Sequence, residues 1–135
     1  MKPADIVQKM MNHDAFSQWL GIKVEEISAG SCHLSMQVRA EMLNGFGIAH
    51  GGISYALADS ALAFASNAHG MQALSIDTSI QHIEALKEGA ILHAHAREES
   101  LKNKFAVYTV EIKSDDKLIA LFKGTVYRTQ KNWES

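Results

Sequence analysis

The spacing of apolar residues divides the chain into helical and extended stretches. Between residues 3 and 20 the apolar positions recur near helical spacing, Pro3 suits a first turn and Gly21 suits a helix end. One amphipathic helix over 3–20 is therefore predicted. From residue 22 the period changes to two, which predicts strands over 22–27 and 31–39 joined at Ala29 and Gly30 as a hairpin.

A glycine-rich loop over 44–52 separates this hairpin from the second helix. Residues 53–68 are rich in alanine and leucine, which favours a helix, and the apolar residues lie all round it, so protein should enclose it on most sides. Four more strands are predicted, over 73–83, 90–100, 105–113 and 117–128. Because their connections are short, the sheet should be antiparallel. The predicted fold is α+β, with an antiparallel sheet curled around a long central helix and an additional N-terminal helix.

Composition limits the class of protein. A chain of 135 residues with 47% hydrophobic residues suits a single globular domain over residues 1–135. A net charge of -2 argues against nucleic acid as a partner, because binding through released counterions needs a concentrated basic surface. No apolar run is long enough for a transmembrane helix and no signal peptide is recognised, so no membrane partner is expected. The single cysteine, Cys32, fits the cytoplasm and is interpreted as a structural thiol.

Asp59 is the strongest candidate for chemistry. It is the only ionisable side chain between Gly51 and Asn67, in the middle of a helix expected to be buried. Burying a carboxylate costs free energy, so such a residue is often functional. The alternative is a structural carboxylate at a subunit interface, held by a backbone donor or a lysine.

The triplet His50-Gly51-Gly52 stands where the central helix begins. Backbone N–H groups at a helix start have no partner within the helix, and the helix dipole is positive there. The triplet could therefore hold an oxygen that gains negative charge, as an oxyanion hole does. The alternative is a plain glycine turn with His50 near the N-cap.

The spacing of these two candidates predicts a site between subunits. Gly51 and Asp59 are eight positions apart, so they lie about 12 Å apart along a helix that rises ~1.5 Å per residue. One carbonyl carbon cannot contact both within one subunit. If both act on the same atom, two helices must meet antiparallel across a two-fold axis, and the many alanines near Asp59 would allow close approach.

The remaining candidates are less specific. Asn44 could orient a water molecule, although an asparagine in such a loop is more often a turn residue. His93 and His95 share one strand face, and His82 could lie on a neighbouring strand, but no Cys or carboxylate completes a ligand set. No metal site is therefore expected.

Taken together, these motifs resemble the hotdog-fold thioesterases of the phenylacetate-degradation (PaaI) type. The resemblance rests on Asn44, on His50-Gly51-Gly52, on Asp59 within Leu57-Ala58-Asp59-Ser60-Ala61, and on Asn67, and it extends from about residue 12 to residue 128. It implies the hotdog fold, hydrolysis of acyl-CoA thioesters to free acid and CoA, often with aryl-acetyl groups, and homodimers that associate into homotetramers.

The resemblance also implies a role for each site residue. Asp59 would be the catalytic base or nucleophile, and the Gly51 N–H would bind the thioester carbonyl, with His50 and Gly52 shaping that helix start. Asn44 would hold the substrate or the attacking water, and Ser75 would orient the water. No cofactor or metal is implied, since CoA is part of the substrate. Phe46, Tyr55, Leu62 and Phe64 are candidates to line the acyl pocket.

One stretch departs from the family pattern. Relatives often have a proline after a basic residue soon after the helix, where this chain has Gln81-His82-Ile83-Glu84-Ala85-Leu86. The route of the CoA tail is therefore open, with Arg97, Lys102 and Lys104 as candidate phosphate partners. Other hypotheses are an acyl-CoA-binding hotdog domain without activity, a hotdog hydratase or dehydratase, and an oligomerisation module.

Overall fold

The computed structural model describes residues 1–134, and the sheet and central helix predicted from the sequence are present in it. In chain order the elements are α1 (Pro3–Asn12), α2 (Ala15–Leu20), β1 (Lys23–Ser28), β2 (Ser31–Gln37), a 3-10 turn (Ala40–Met42), α3 (Gly51–Asn67), β3 (Met71–His82), β4 (Ile91–Leu101), β5 (Phe105–Ser114) and β6 (Lys117–Asn132). No helix within this part of the chain is long and apolar enough to cross a membrane.

The single N-terminal helix predicted over residues 3–20 is wrong, because the chain forms two helices there. α1 ends at Asn12, and Asp14 begins α2 as its N-cap. The Asp14 carboxylate accepts hydrogen bonds from the Ser17 N–H at 3.0 Å and from the Ser17 hydroxyl at 2.6 Å. This cap stabilises a new helix start, and apolar periodicity alone does not reveal it. Gly21 ends α2 in the left-handed conformation, as predicted.

The six strands form one antiparallel sheet in the order β1-β2-β4-β5-β6-β3. α3 packs on one face of this sheet, and the buried side chains of β2, β4, β5 and β6 surround it. Residues of β2 alternate as predicted, with Cys32, Leu34 and Met36 in the core. The α+β architecture, with a sheet around a central helix and helices at the N-terminus, is thus confirmed.

α3 is enclosed on most of its circumference, but one stripe is only partly covered. The stripe follows helical spacing of three and four residues along one face. Its members are Gly52, Tyr55, Ala56, Asp59, Ser60 and Ala63. All the other α3 residues from Ile53 to Asn67 are buried. Asp59 is therefore half-buried rather than fully buried, and it lies on the one face of the helix that the chain leaves open.

The two edges of the sheet differ in their protection. β1 is short and presents charged residues, as natural edge strands usually do. β3 has twelve residues and exposes apolar side chains, with Leu74 at 65% and Ile76 at 59% exposure. A long apolar edge strand is a template for pairing with another chain. Within residues 1–134, the outer edge of β3 pairs with no other strand.

The carboxylate of Glu98 in β4 is hydrogen bonded to His69, just after the end of α3, and to Tyr108 in β5. Glu98 Oε1 accepts hydrogen bonds from the Tyr108 hydroxyl at 2.7 Å and the His69 ring at 2.6 Å. Partial burial by itself raises the pKa of Glu98, but these hydrogen bonds outweigh it and hold that pKa below the usual value.

We expect Glu98→Gln to lower the free energy of unfolding by about 1 kcal/mol at pH 7, because hydrogen bonds to a charged acceptor are lost. A carboxylate whose pKa is lowered by folding stabilises above its unfolded pKa and ceases to do so as the pH falls through its folded value. The difference from the wild type, measured by urea titration, should therefore shrink below about pH 4. The control is Glu99→Gln, at an exposed neighbouring position, and the free energy of unfolding of this variant should differ little from that of the wild type. Equal stability of Glu98→Gln and wild type at pH 7 would contradict the prediction.

Candidate active site

The start of α3 leaves one backbone donor free. His50 is the N-cap, and its Nδ1 accepts a hydrogen bond from the Gly52 N–H at 2.8 Å, while the Ile53 N–H donates to the His50 carbonyl at 3.1 Å. Among residues 1–134 nothing accepts a hydrogen bond from the Gly51 N–H. A free N–H at the positive end of a 17-residue helix can bind a partly negative oxygen.

Close packing favours a glycine at position 51. A Cβ there would meet the His82 ring, with Nε2 at 3.0 Å and Cε1 at 3.1 Å. His82 lies at the end of β3, and its ring covers the side of the helix start. The sequence presents His82 only as a candidate metal ligand, and no sequence signal places it beside Gly51. It is a site residue that only the fold reveals.

Asp59 lies one-half buried on the open stripe of α3. Burial raises its pKa above the usual value, and the negative charge of Asp14 raises it further. Asp14 approaches because Ser17, which it caps, is hydrogen bonded to Ser60 with 2.8 Å between the hydroxyl oxygens. A carboxylate with a raised pKa is a stronger base when it is ionised, as general-base catalysis requires. Sequence reasoning missed Asp14, although its N-cap pattern could have been read.

Three cavities are lined by Gly51, by Asp59 or by both, and they are called the N-terminal cavity, the helix groove and the C-terminal cavity. The N-terminal cavity, of about 310 Å³, is lined by Asn44, Ile48, Ala49, Gly51, Ser54, His82, Ile83, Glu84, Ala85, Leu86 and Ile119. The helix groove, of about 550 Å³, is lined by Asp14, Phe16, Ser17, Gly51, Gly52, Tyr55, Ala56, Asp59, Ser60 and His82. The C-terminal cavity, of about 350 Å³, is lined by Met10, Asp59, Leu62, Ala63, Asn67, Gln72, Ala73, Leu74, Ser75, Val126, Thr129 and Trp133.

These cavities show which candidate residues the fold brings together. Gly51 and Gly52, at the start of α3, share the helix groove with Asp59 in the middle of that helix. Ser75 shares the C-terminal cavity with Asp59. Asn44 lines the N-terminal cavity with Gly51 and is absent from the lining of both cavities that contain Asp59. Within one subunit, Asp59 and Asn44 are therefore on different sides of the Gly51 position.

Asn44 is engaged in the loop that leads to α3. Its side-chain oxygen accepts hydrogen bonds from the Phe46 N–H at 2.9 Å and the Ile48 N–H at 3.4 Å. Asn44 therefore acts as a turn residue, which is one of the two roles that the sequence suggests for it. The side-chain NH₂ group of Asn44 makes no hydrogen bond to any residue in the described part of the chain, so it can donate into the N-terminal cavity.

The expected apolar lining is only partly right. Tyr55 lines the helix groove, where its hydroxyl is hydrogen bonded to Thr78, and Leu62 lines the C-terminal cavity. Phe64 is fully buried in the core and lines none of the three cavities, so its assignment to the pocket is wrong. Phe46 is 89% exposed at the tip of its loop and also lines none of them.

The histidines on the sheet are arranged differently from expectation. The strand order puts His33, not His82, beside His93 and His95. His33 Nε2 and His93 Nδ1 are 2.9 Å apart and hydrogen bonded, and the His95 ring stacks on His33. Residues 1–134 contain no group of three or more His, Cys, Asp or Glu side chains that could hold a metal ion.

Two further expectations concern single residues. Cys32 is buried as predicted, and burial raises its pKa to about 12, which favours the interpretation as a structural thiol. Arg97 is paired with Glu99, with 2.8 Å between Nε and Oε1, and lines none of the three cavities. In contrast, the Ile83 to Leu86 stretch that lacks the family proline lines the N-terminal cavity beside Gly51.

Comparison with known proteins agrees with this architecture. The model of the thioesterase superfamily matches residues 46–120, which include the start of α3, Asp59 and Ser75. The acyl-coenzyme A thioesterase PaaI of Escherichia coli is 34% identical over 120 residues, covering 88% of this chain and 86% of the relative.

Solved structures show the same likeness. The Escherichia coli PaaI protein of the phenylacetic acid degradation operon superposes with a TM-score of 0.94 at 31% identity, covering 96% of this chain and 95% of that one. A variant of the phenylacetic acid degradation protein PaaI from Thermus thermophilus superposes with a TM-score of 0.83 at 43% identity, covering 85% and 99%. With its sheet wrapped around α3, this chain belongs to the thioesterase superfamily and is a hotdog-fold thioester hydrolase of the PaaI type.

Proposed function

We propose that this protein hydrolyses acyl-CoA thioesters that carry aryl-acetyl or medium-size acyl groups, and releases the free acid and CoA. One observation carries the proposal. α3 has a free backbone N–H at its first residue, Gly51, and a half-buried carboxylate of raised pKa at Asp59 on its open stripe. An oxyanion donor and a base are the two groups that thioester hydrolysis needs. The acyl-coenzyme A thioesterase among the relatives supports the choice of CoA thioesters.

The chemistry assigns one role to each group. The Asp59 carboxylate takes a proton from a water molecule as that water attacks the thioester carbonyl carbon. The carbonyl oxygen gains negative charge and accepts a hydrogen bond from the Gly51 N–H, with Asn44 or Ser75 orienting the substrate or the water. The tetrahedral intermediate then breaks its carbon–sulfur bond, and the CoA thiolate takes the proton from Asp59. The products are a carboxylic acid and the CoA thiol.

A direct attack by Asp59 is the alternative route. In that case the carboxylate displaces CoA thiolate and forms a mixed anhydride, which water then hydrolyses. A single turnover in ¹⁸O-labelled water, with mass spectrometry of the tryptic peptide that contains Asp59, detects an anhydride that water attacks at the Asp59 carbonyl carbon. Label in the Asp59 carboxylate identifies the anhydride route.

Two subunits would complete each site. Gly51 and Asp59 lie eight residues apart in α3, and therefore about 12 Å apart at ~1.5 Å per residue. The edge strand β3 offers a long apolar surface for a two-fold interface, and the small residues Ala56 and Ala63 on the open stripe allow a second α3 to approach. In such a homodimer the Gly51 of one subunit would face the Asp59 of the other.

Assembly and location are part of the proposal. We propose that the homodimers associate further into homotetramers, and that the protein acts in the cytoplasm. The lone buried thiol of Cys32 is compatible with that reducing compartment.

The test is release of CoA thiol from a panel of acyl-CoAs, followed with a thiol reagent. The panel holds phenylacetyl-CoA and straight-chain acyl-CoAs of increasing length, and an oxygen ester of each acid is the control. We expect hydrolysis of CoA thioesters with a preference for phenylacetyl or medium-length groups. Absence of thiol release from every member would refute the proposed function.

Asp14 should tune the pH dependence of this reaction. Its negative charge raises the pKa of Asp59, so Asp14→Asn should lower that pKa and keep Asp59 ionised at more acidic pH. Asparagine also caps helices well, so α2 should remain. The acidic limb of the kcat/KM profile should move to lower pH, and the rate at pH 7 should stay within about tenfold of the wild type. Asp5→Asn, an exposed change in the first turn of α1, is the control. An unmoved acidic limb would contradict the prediction.

A further inference from the structure

α3 lines the C-terminal cavity from Asp59 to Asn67. Asp59, Ala63 and Asn67 are spaced by four residues and line it from the helix side. Five polar residues contribute to the lining, namely Asp59, Asn67, Gln72, Ser75 and Thr129, while Met10, Leu62, Leu74, Val126 and Trp133 supply most of the apolar surface. A cavity that combines a carboxylate with a largely apolar lining suits an acyl group.

Trp133 is fixed at the Asn67 end of this cavity. Its backbone N–H donates to the Gly70 carbonyl at 2.8 Å, and its indole Nε1–H donates to Asn67 Oδ1 at 2.8 Å. Asn67 is itself held, because its NH₂ group donates to the carbonyls of Ala63 at 2.8 Å and Ala73 at 3.0 Å. The indole ring therefore has one orientation set by the end of α3.

The other end of the chain contributes to the same wall. Met10 of α1 lines the cavity, and the neighbouring Lys9 Nζ donates to the Glu134 carbonyl at 2.7 Å. This contact joins α1 to the residue that follows Trp133. A methionine adapts its shape and makes favourable contacts with aromatic rings, so it suits a wall against variable groups.

We propose that Trp133, supported by Met10, forms the end wall of the acyl pocket and sets the length and shape of the acyl group. The inference rests on the proposed function, in which the thioester carbonyl lies at Asp59. From Asp59 to Asn67 the helix advances about 12 Å at ~1.5 Å per residue. An extended chain with ~1.5 Å carbon–carbon bonds at tetrahedral angles advances about 1.3 Å per carbon, so about nine carbons fill this distance. A flat aromatic acyl group would stack against the indole.

The test compares chain-length profiles of kcat/KM for the wild type and Trp133→Ala. In the variant, the kcat/KM for acyl-CoAs with more than about ten carbons should rise about tenfold relative to the kcat/KM for phenylacetyl-CoA. The phenylacetyl group loses one aromatic contact in this variant. Trp133→Phe keeps a ring without the Nε1–H donor and should retain the wild-type length limit. The control is Tyr127→Ala, which removes an exposed aromatic ring that packs on Phe105.

Direct binding provides a second readout. In a Trp19→Phe background, Trp133 is the only tryptophan, so its fluorescence should change when a non-hydrolysable phenylacetyl-CoA thioether binds and not when CoA alone binds. A chain-length profile that is the same in the wild type and Trp133→Ala would overturn the inference. Hydrolysis of no acyl-CoA by the wild type would instead refute the proposed function, so the two failures are distinguishable.

Discussion

Asp59→Asn is expected to lower kcat for acyl-CoA hydrolysis by about 10²–10⁴-fold, the usual contribution of a positioned base. Asparagine has the same shape as aspartate and cannot accept the proton from water. The dissociation constant for a non-hydrolysable acyl-CoA thioether, measured by calorimetry, should change little. An acyl-CoA-binding domain without activity would show the same binding in both proteins and no turnover in either.

The same variant should not be less stable than the wild type at pH 7. A carboxyl group whose pKa is raised by folding destabilises the folded state as the pH rises above its unfolded pKa, because the charged form is disfavoured. Removing that charge should therefore raise Tm at pH 7 and leave it unchanged near pH 3. Ser60→Ala, on the same stripe of α3, is the matched control for local packing. Full turnover by Asp59→Asn would remove Asp59 from the mechanism.

Gly51→Pro is expected to lower kcat by about 10²–10³-fold, because it deletes the one free N–H at the start of α3. The substitution suits the backbone: proline is favoured at the first helical position, and His50, which precedes it, is extended with ψ 135°. Circular dichroism should show an unchanged helix content.

Gly51→Ala is the control that separates the donor from the packing. It keeps the N–H but adds a Cβ that meets the His82 ring at 3.0 Å, and the ring at the end of its side chain can rotate away. We expect this variant to lose far less activity than Gly51→Pro. Equal losses in both would assign the effect to the contact with His82 and contradict an oxyanion role for the Gly51 N–H.

Mixing the two inactive proteins tests whether the site is shared between subunits. A dimer of one Asp59→Asn chain and one Gly51→Pro chain has one site in which both groups are intact and one in which both are lost. Random exchange of subunits should restore about a quarter of the wild-type sites, since half the dimers are mixed and each has one intact site. No recovery after verified exchange would place both groups of a working site in one subunit.

Local patterns predicted most of the fold. Every strand expected from the sequence is present with its ends within a few residues, because strand alternation and turn composition are properties of neighbouring residues. The prediction of one helix over residues 3–20 was wrong for a local reason as well. The Asp14 N-cap starts a new helix, although the apolar periodicity continues through it. The assignment of Phe64 to the acyl pocket was wrong because its burial depends on which side of α3 faces the sheet.

In the candidate site too, the sequence reveals the residues with a local signal and misses those that depend on tertiary contacts. Gly51 and Asp59 were identified from the sequence, because a helix start and a lone carboxylate within an apolar helix are visible in one dimension. His82 and Trp133 could not be found that way, and neither could the approach of Asp14 to Asp59. Each reaches the central helix from a distant part of the chain, and the contacts depend on the strand order and on the packing of both chain ends.

The sequence by itself determined the strands, their antiparallel arrangement, the central helix and the eight-residue spacing of Gly51 and Asp59 within that helix. Those features follow from periodicity and helix rise, which are set by residues close together in the chain. Only the tertiary structure decided which face of α3 stays open, how burial and the charge of Asp14 raise the pKa of Asp59, and which aromatic ring lines the C-terminal cavity. These depend on burial and on contacts between residues far apart in sequence, and both exist only once the core has packed.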